Sequence, residues 1–168
     1  MREYTYTDLN RLNVGSDPVN VYGVVLDATF PHKSFKSNKY ICSYKIANSS
    51  SPVDKQGIVE YTSVVFFAKS FTDLPVCQRI GEIIRIHRAS VGTYKDHKQL
   101  SVNMFFNSSW VLFPPAMVKD DKPKKVKVDK VDPLTPLSFS GKEFHMNRLV
   151  EKKVISQISA WASKLFAS

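Results

Sequence analysis

The chain has 168 residues, 43% hydrophobic and 23% charged, enough to close one substantial core with a tail left over. Its 24 Lys and Arg outweigh 15 Asp and Glu to give a net charge of +9, which favours a polyanionic partner and is densest from Lys119 onward. Two cysteines, Cys42 and Cys77, in no CxxC spacing exclude a disulfide framework and are expected as buried thiols in a reducing compartment. No run approaches the ~20 apolar residues of a membrane span, and the polar stretch 1–12 lacks the apolar core of a signal peptide, so no membrane partner is expected.

In chain order, residues 19–29 (VNVYGVVLDAT) are rich in β-branched and aromatic side chains and predict a first strand, with Gly23 marking a bend where it must coil across two sheets. Residues 39–47 (KYICSYKIA) and 60–68 (EYTSVVFFA) predict strands two and three. The pattern breaks over 71–80, where Thr72 and Asp73 ahead of Leu74 and Pro75 predict the start of a short helical turn. Strand four follows at 82–91 (EIIRIHRASV) and strand five at 99–106 (QLSVNMFF), joined by a polar hairpin loop over 92–98 (GTYKDHK).

Three strands, a short helix and two more strands form the order of an all-β, five-stranded OB-fold Greek-key barrel. An SH3-like barrel lacks that helix. Beyond it, residues 119–130 (KDDKPKKVKVDK) are too charged to fold alone, and their KPKKVKV tract is a candidate nuclear import signal. Residues 132–140 read as extended, because each proline biases its predecessor away from helix. Val150, Val154, Ile158, Trp161 and Leu165 then recur at three- and four-residue steps and predict an amphipathic helix over 142–166, whose apolar stripe either closes one end of the barrel or docks on another domain. The expected organisation is an N-terminal segment (1–16), the barrel (17–115), a charged Pro-containing linker (116–141) and the helical end (142–168).

No catalytic constellation emerges. His32, His87, His97 and His145 are scattered with no HExxH or HxH spacing, and no GxSxG, GxGxxG or GxxxxGK[ST] loop is present, so neither enzyme, metal nor cofactor is expected. Binding has a better signature. A single strand of nucleic acid exposes flat bases for stacking and phosphates for pairing, which calls for aromatics interleaved with Lys and Arg on strands and loops of one face. Phe30, His32, Lys33, Phe35, Lys36 and Lys39 follow strand one, and Tyr94, Lys95, His97 and Lys98 precede strand five; these two loops are expected to converge across the groove. Of each adjacent pair, Phe66 with Phe67 and Phe105 with Phe106, strand alternation sends one ring inward and one outward.

The blocks VVLDATFPHK, KYICSYKI, FFAKSFTDLP, GEIIRIHRASVGTY and FFNSSWVLF, in that order, resemble the first OB domain of the ciliate telomere end-binding protein alpha subunits and the protection-of-telomeres proteins. The resemblance runs over 20–113 and continues through PLSFS and AWASKLF. It implies binding of single-stranded G-rich telomeric DNA at chromosome ends in the nucleus, alongside a possible second telomere protein subunit. It further implies Lys33 and Lys45 as backbone or base-edge contacts, Tyr94 and the pair Phe105 and Phe106 as stacking platforms, and Phe67, Arg88 and Gln99 as residues facing the nucleic acid. Phe30 and His32 join them in the first loop. His32 and Phe106 stand where the ciliate subunits have tyrosine, which keeps stacking and removes a hydroxyl. Two alternatives stay open: a sequence-tolerant single-strand binder, and an OB barrel for protein contacts with Ile158 and Trp161 as anchors.

Overall fold

The computed structural model describes residues 4–15, 17–115 and 132–167. Its strands are β1 (Val19–Ala28), β2 (His32–Lys33), β3 (Tyr40–Ala47), β4 (Thr62–Ala68), β5 (Ile83–Tyr94), β6 (His97–Asn103), β7 (Ser109–Phe113) and β8 (Ser138–Phe139), followed by one helix, α1 (Arg148–Ala167). Strands β1, β3, β4, β6 and β5 pair in that order, and β5 returns to β1, so the sheet closes. All of these pairings are antiparallel except β4 with β6. This is a closed five-stranded OB barrel. Closure removes the unpaired backbone edges that an open sheet would expose.

One strand must serve both halves of the barrel, and β1 does so: Val19–Val24 pair with β5, and Val24–Ala28 pair with β3 across a bulge between Val25 and Asp27. Gly23 lies beside that changeover. A Cβ there would sit 2.9 Å from Ile46 Cβ, so close backbone approach requires glycine. The β5–β6 hairpin turns through Lys95 and Asp96, both at positive φ (48° and 65°), as a tight two-residue hairpin requires.

Alternation fills the barrel with Val21, Val25, Cys42, Tyr44, Ile46, Val64, Phe66, Ala68, Ile84, Ile86, Leu100, Val102 and Leu112, while Leu9 and Leu12 from the N-terminal segment join the same cluster. A second cluster lies outside the barrel. There Tyr22, Val24, Ile83, Val111 and Phe113 meet Ile155, Ile158 and Ala162 of α1. The helix therefore docks on its own barrel.

Several expectations need correction. The turn between strands three and four is a single 3-10 turn, Phe71–Asp73, earlier than anticipated and without a side-chain cap; the indole N–H of Trp110 donates to Asp73 O at 2.9 Å and holds it. Strand five ends at Asn103, so Phe105 and Phe106 occupy a turn, where alternation does not apply. Most of the expected 92–98 loop is strand. Strand β7 was not anticipated as a barrel element, nor were the short pairings of β2 with β3 and β8 with β7. Helix α1 starts at Arg148 because Asn147 caps it: the Asn147 backbone N–H donates to Glu151 Oε2 at 2.8 Å, closing the first turn. Its buried stripe is Glu151, Ile155, Ile158 and Ala162, flanked by Val154 and Trp161, while Val150 is exposed. Cys42 is buried, but Cys77 is only half-buried; burial pushes both thiols up to about 12. The tract 122–128 lies outside the described residues.

Candidate nucleic-acid interface

Since one side of β3, β4 and β6 fills the barrel, the other must face outward, and the register aligns it in three rows. Ile41, Phe67 and Asn103 form the first; Ser43, Val65 and Ser101 the second; Lys45, Ser63 and Gln99 the third. All nine side chains are half-buried or exposed. Ser43, Val65 and Ser101 keep the middle low between Ile41 and Phe67 on one side and Lys45 and Gln99 on the other, so a shallow trough runs along the strands from the first row to the third. Four residues separate the outer rows along each strand, a span of roughly 13 Å.

Aromatic rings paired with ammonium groups stand at both ends of this trough. Beyond the first row, Lys39 Nζ and Lys69 Nζ each lie 5.1 Å from the centre of the Phe105 ring, which clamps it from two segments of the chain. Phe106, next in the turn, is 75% exposed. Asn103 shapes that turn by accepting the Phe105 N–H on Oδ1 at 3.0 Å and the Phe106 N–H on its carbonyl at 2.9 Å. At the same end, Phe30 and Tyr40 pack on Phe71 with ring centroids 5.4 and 6.2 Å apart. His32 and Lys33 are exposed on β2, and the Phe30 carbonyl lies 3.1 Å from His32 Nδ1.

Beyond the third row, Lys45 Nζ lies 4.8 Å from the Tyr61 ring centre and 3.9 Å from the Asp27 carboxylate. Lys95 Nζ lies 5.4 Å from the exposed ring of Tyr94. Between the β3–β4 connection and the β5–β6 hairpin runs a groove of about 600 Å³ floored by Ser63 and Gln99 and walled by Tyr61 and Tyr94. The two basic aromatic loops thus do not converge. They stand at opposite ends of one face, because β4 and β6 run parallel and start beside the hairpin but finish beside β2.

Arg88 is turned elsewhere. It occupies a bulge of β5 at φ 61°, and its guanidinium donates to Asn107 O, to Tyr4 Oη at 2.9 Å and to Ser109 Oγ at 3.4 Å. These bonds tie the N-terminal segment to the turn after β6, so the geometry gives Arg88 a bracing place behind Phe105 and Phe106.

A family model described as telomeric single-stranded DNA binding POT1/CDC13 matches residues 1–168. The chain belongs to this family. Among its relatives, the telomere-binding protein 51 kDa subunit of Euplotes crassus is 39% identical over 98% of this chain and 37% of that protein. Telomere-binding protein subunit alpha of Stylonychia mytilus is 37% identical over 97% of this chain and 34% of that protein. The chain thus spans little more than a third of the length of these relatives. The crystal structure of a Pot1 (protection of telomere) and ssDNA complex superimposes with a TM-score of 0.69 over 98% of this chain and 89% of that one, at 16% identity, and shares its fold.

In this POT1/CDC13 member the trough also contains residues that sequence reasoning passed over. Ile41, Ser43, Val65, Ser101 and Asn103 are unremarkable in composition, and only the register between strands puts them beside Phe67, Lys45 and Gln99. Strand alternation would have named them had the three strands been aligned. Tyr61 and Lys69 gave no such signal, since each flanks a strand and its role depends on a ring or ammonium brought from another chain segment.

Proposed function

We propose that this chain binds single-stranded G-rich telomeric DNA along the trough of β3, β4 and β6, within the nucleus at chromosome ends, and that it does so by binding alone, without catalysis. One observation carries the reading: a row-ordered, uncovered sheet face with small residues along its middle has a cation-backed aromatic ring at each end. Such a face suits an unpaired strand, whose bases stack on rings while its phosphates meet ammonium groups. Duplex DNA has its bases stacked already and presents no free π-face to these rings.

In this scheme Tyr94, Phe105 and Phe106 are stacking platforms, joined by Phe67 within the trough and Phe30 and His32 at its rim. Lys33 and Lys45 meet phosphates or base edges, and Gln99 reads a base edge from the groove floor. Arg88 serves through the turn it braces. The family description and the telomeric relatives support the same ligand, and the subunit wording in the relatives' names supports a second protein partner. Fluorescence titration against the G-rich strand, its complement and their duplex tests the reading. The G-rich strand should bind at least tenfold more tightly than either other form; equal affinity for a scrambled single strand would favour a sequence-tolerant binder.

A further inference from the structure

The groove between the β3–β4 connection and the β5–β6 hairpin has a chemistry the rest of the trough lacks. Tyr61 and Tyr94 give it aromatic rings, Val53 and Ile58 apolar surface and Lys95 and Lys98 cations, yet Asp54 and Glu60 also line it beside Gln99. Carboxylates repel phosphates, so on a surface that follows a DNA backbone they work against affinity unless they face something other than a phosphate. Asp54 is partly committed: its Oδ1 accepts the backbone N–H of Gln56 at 2.8 Å and of Ile58 at 2.9 Å, which shapes the loop. Glu60 is free. Its backbone N–H donates to Pro52 O at 2.8 Å, which fixes the residue's place, while its carboxylate has no hydrogen bond or ion pair among the described residues.

A free carboxylate beside two aromatic rings and an amide matches one base in particular. Guanine carries two adjacent donors on its pairing edge, the ring N1–H and the exocyclic amine, which a carboxylate accepts as a pair. Adenine and cytosine each offer an amine next to a ring acceptor, and thymine offers a single donor between two carbonyls. The groove is also continuous with the trough, since Ser63 and Gln99 belong to both.

We propose that this groove takes a single guanine out of the stacked strand, with Glu60 accepting its N1–H and amine protons and Tyr61 or Tyr94 covering its face. The proposal rests on the trough being the path of single-stranded DNA. It gives Glu60→Gln a sign opposite to simple electrostatics, because removing one negative charge from a DNA-binding face should strengthen binding to every sequence.

The test is a set of titrations of the full chain with the G-rich telomeric oligonucleotide and with versions carrying inosine, which lacks the amine, at one guanine at a time. With the unaltered protein, inosine at one position should weaken binding about tenfold, in line with the loss of a paired base contact. Glu60→Gln should weaken binding of the all-guanine strand about as much and lose its sensitivity to inosine at that position alone. Glu60 is exposed and, among the described residues, bonded only through its backbone, so the variant should keep the parent's circular dichroism and unfolding midpoint. Equal or tighter binding by Glu60→Gln overturns the guanine assignment while leaving the trough in place. Failure of the unaltered chain to bind any G-rich strand overturns both.

Discussion

Two outer faces of the same barrel were put to different uses. Outward residues of β1, β5 and β7 such as Tyr22, Val24, Ile83, Val111 and Phe113 are sealed under α1 and Tyr6 of the N-terminal segment, whereas those of β3, β4 and β6 in the three rows are left half-buried or exposed. The sealed face is mostly apolar, but it encloses Arg85 and Glu151 at 2% and 1% exposure as a directly bonded ion pair. Tyr22 Oη donates to the same carboxylate at 2.7 Å, Tyr6 Oη at 3.4 Å, and the Asn147 N–H reaches its second oxygen. Around Glu151 the buried guanidinium and phenols are partnered, as low dielectric demands, whereas Tyr44 Oη in the barrel and Glu82 Oε1 are buried without a hydrogen-bond partner among the described residues. The open face follows the reverse rule. The side chains of its Ser43, Ser101 and Gln99 have no hydrogen-bond partner among the described residues, because unmet hydrogen-bonding capacity costs little in contact with solvent. Burial thus decides whether a polar side chain holds the fold or remains available for recognition.

The largest effect should come from breaking the sealed face. Glu151→Ala leaves the Arg85 guanidinium buried without its counter-charge and should lower stability by about 3–5 kcal/mol in urea unfolding. An unchanged midpoint would mean that the helix contributes little to the fold. Acid should act on the same region more gradually. His87 stacks on Tyr4 with ring centroids 4.0 Å apart and lies 2.8 Å from Tyr6 Oη. Burial first, then the charges of Arg85, Arg88 and His145, lower its pKa to about 3. The unfolded chain therefore takes up a proton between pH 6.5 and 3 that the folded chain refuses, so the stability present above pH 6.5 should decline by up to ~1.4 kcal/mol per unit on acidification. His87→Phe, which removes the titration, should flatten that slope; a slope unaltered by the substitution would place the acid sensitivity elsewhere.

The smallest effect on the fold, and a clear one on binding, should follow from the open face. Tyr94→Ala removes a ring that solvent already reaches, so the unfolding midpoint should stay put. Affinity for a G-rich oligonucleotide should fall about tenfold or more, since stacking contributes roughly 1–3 kcal/mol per base. Loss of stability without loss of binding would reverse the contrast between the two faces.

The barrel was readable from the chain because each main strand carries its own β-branched and aromatic run, and Phe66 and Phe67 split inward and outward as the pleat requires. The interleaving of rings and cations likewise marked Tyr94, and alternation marked the pair Phe66 and Phe67, while Lys45 and Gln99 were named through the family resemblance alone. What local pattern missed were features set by partners distant in sequence. Strand β7 went unassigned in the sequence because its five residues become a strand by pairing with β5 and β8. The helix stripe was read one position off at its start, since an apolar periodicity does not reveal that Glu151 turns inward to meet Arg85.

The amino-acid sequence by itself determined the five main strands of the barrel, the basic balance and the presence of an amphipathic helix after it, all of which follow from short-range pattern and charge. Only the tertiary structure decided that the two basic aromatic loops bracket the trough from opposite ends, that α1 covers one face and leaves the other free, and that Tyr61 and Lys69 belong with rings and cations far along the chain. Those outcomes depend on strand register and on the parallel pairing of β4 with β6, which are properties of contacts between segments and not of any segment alone.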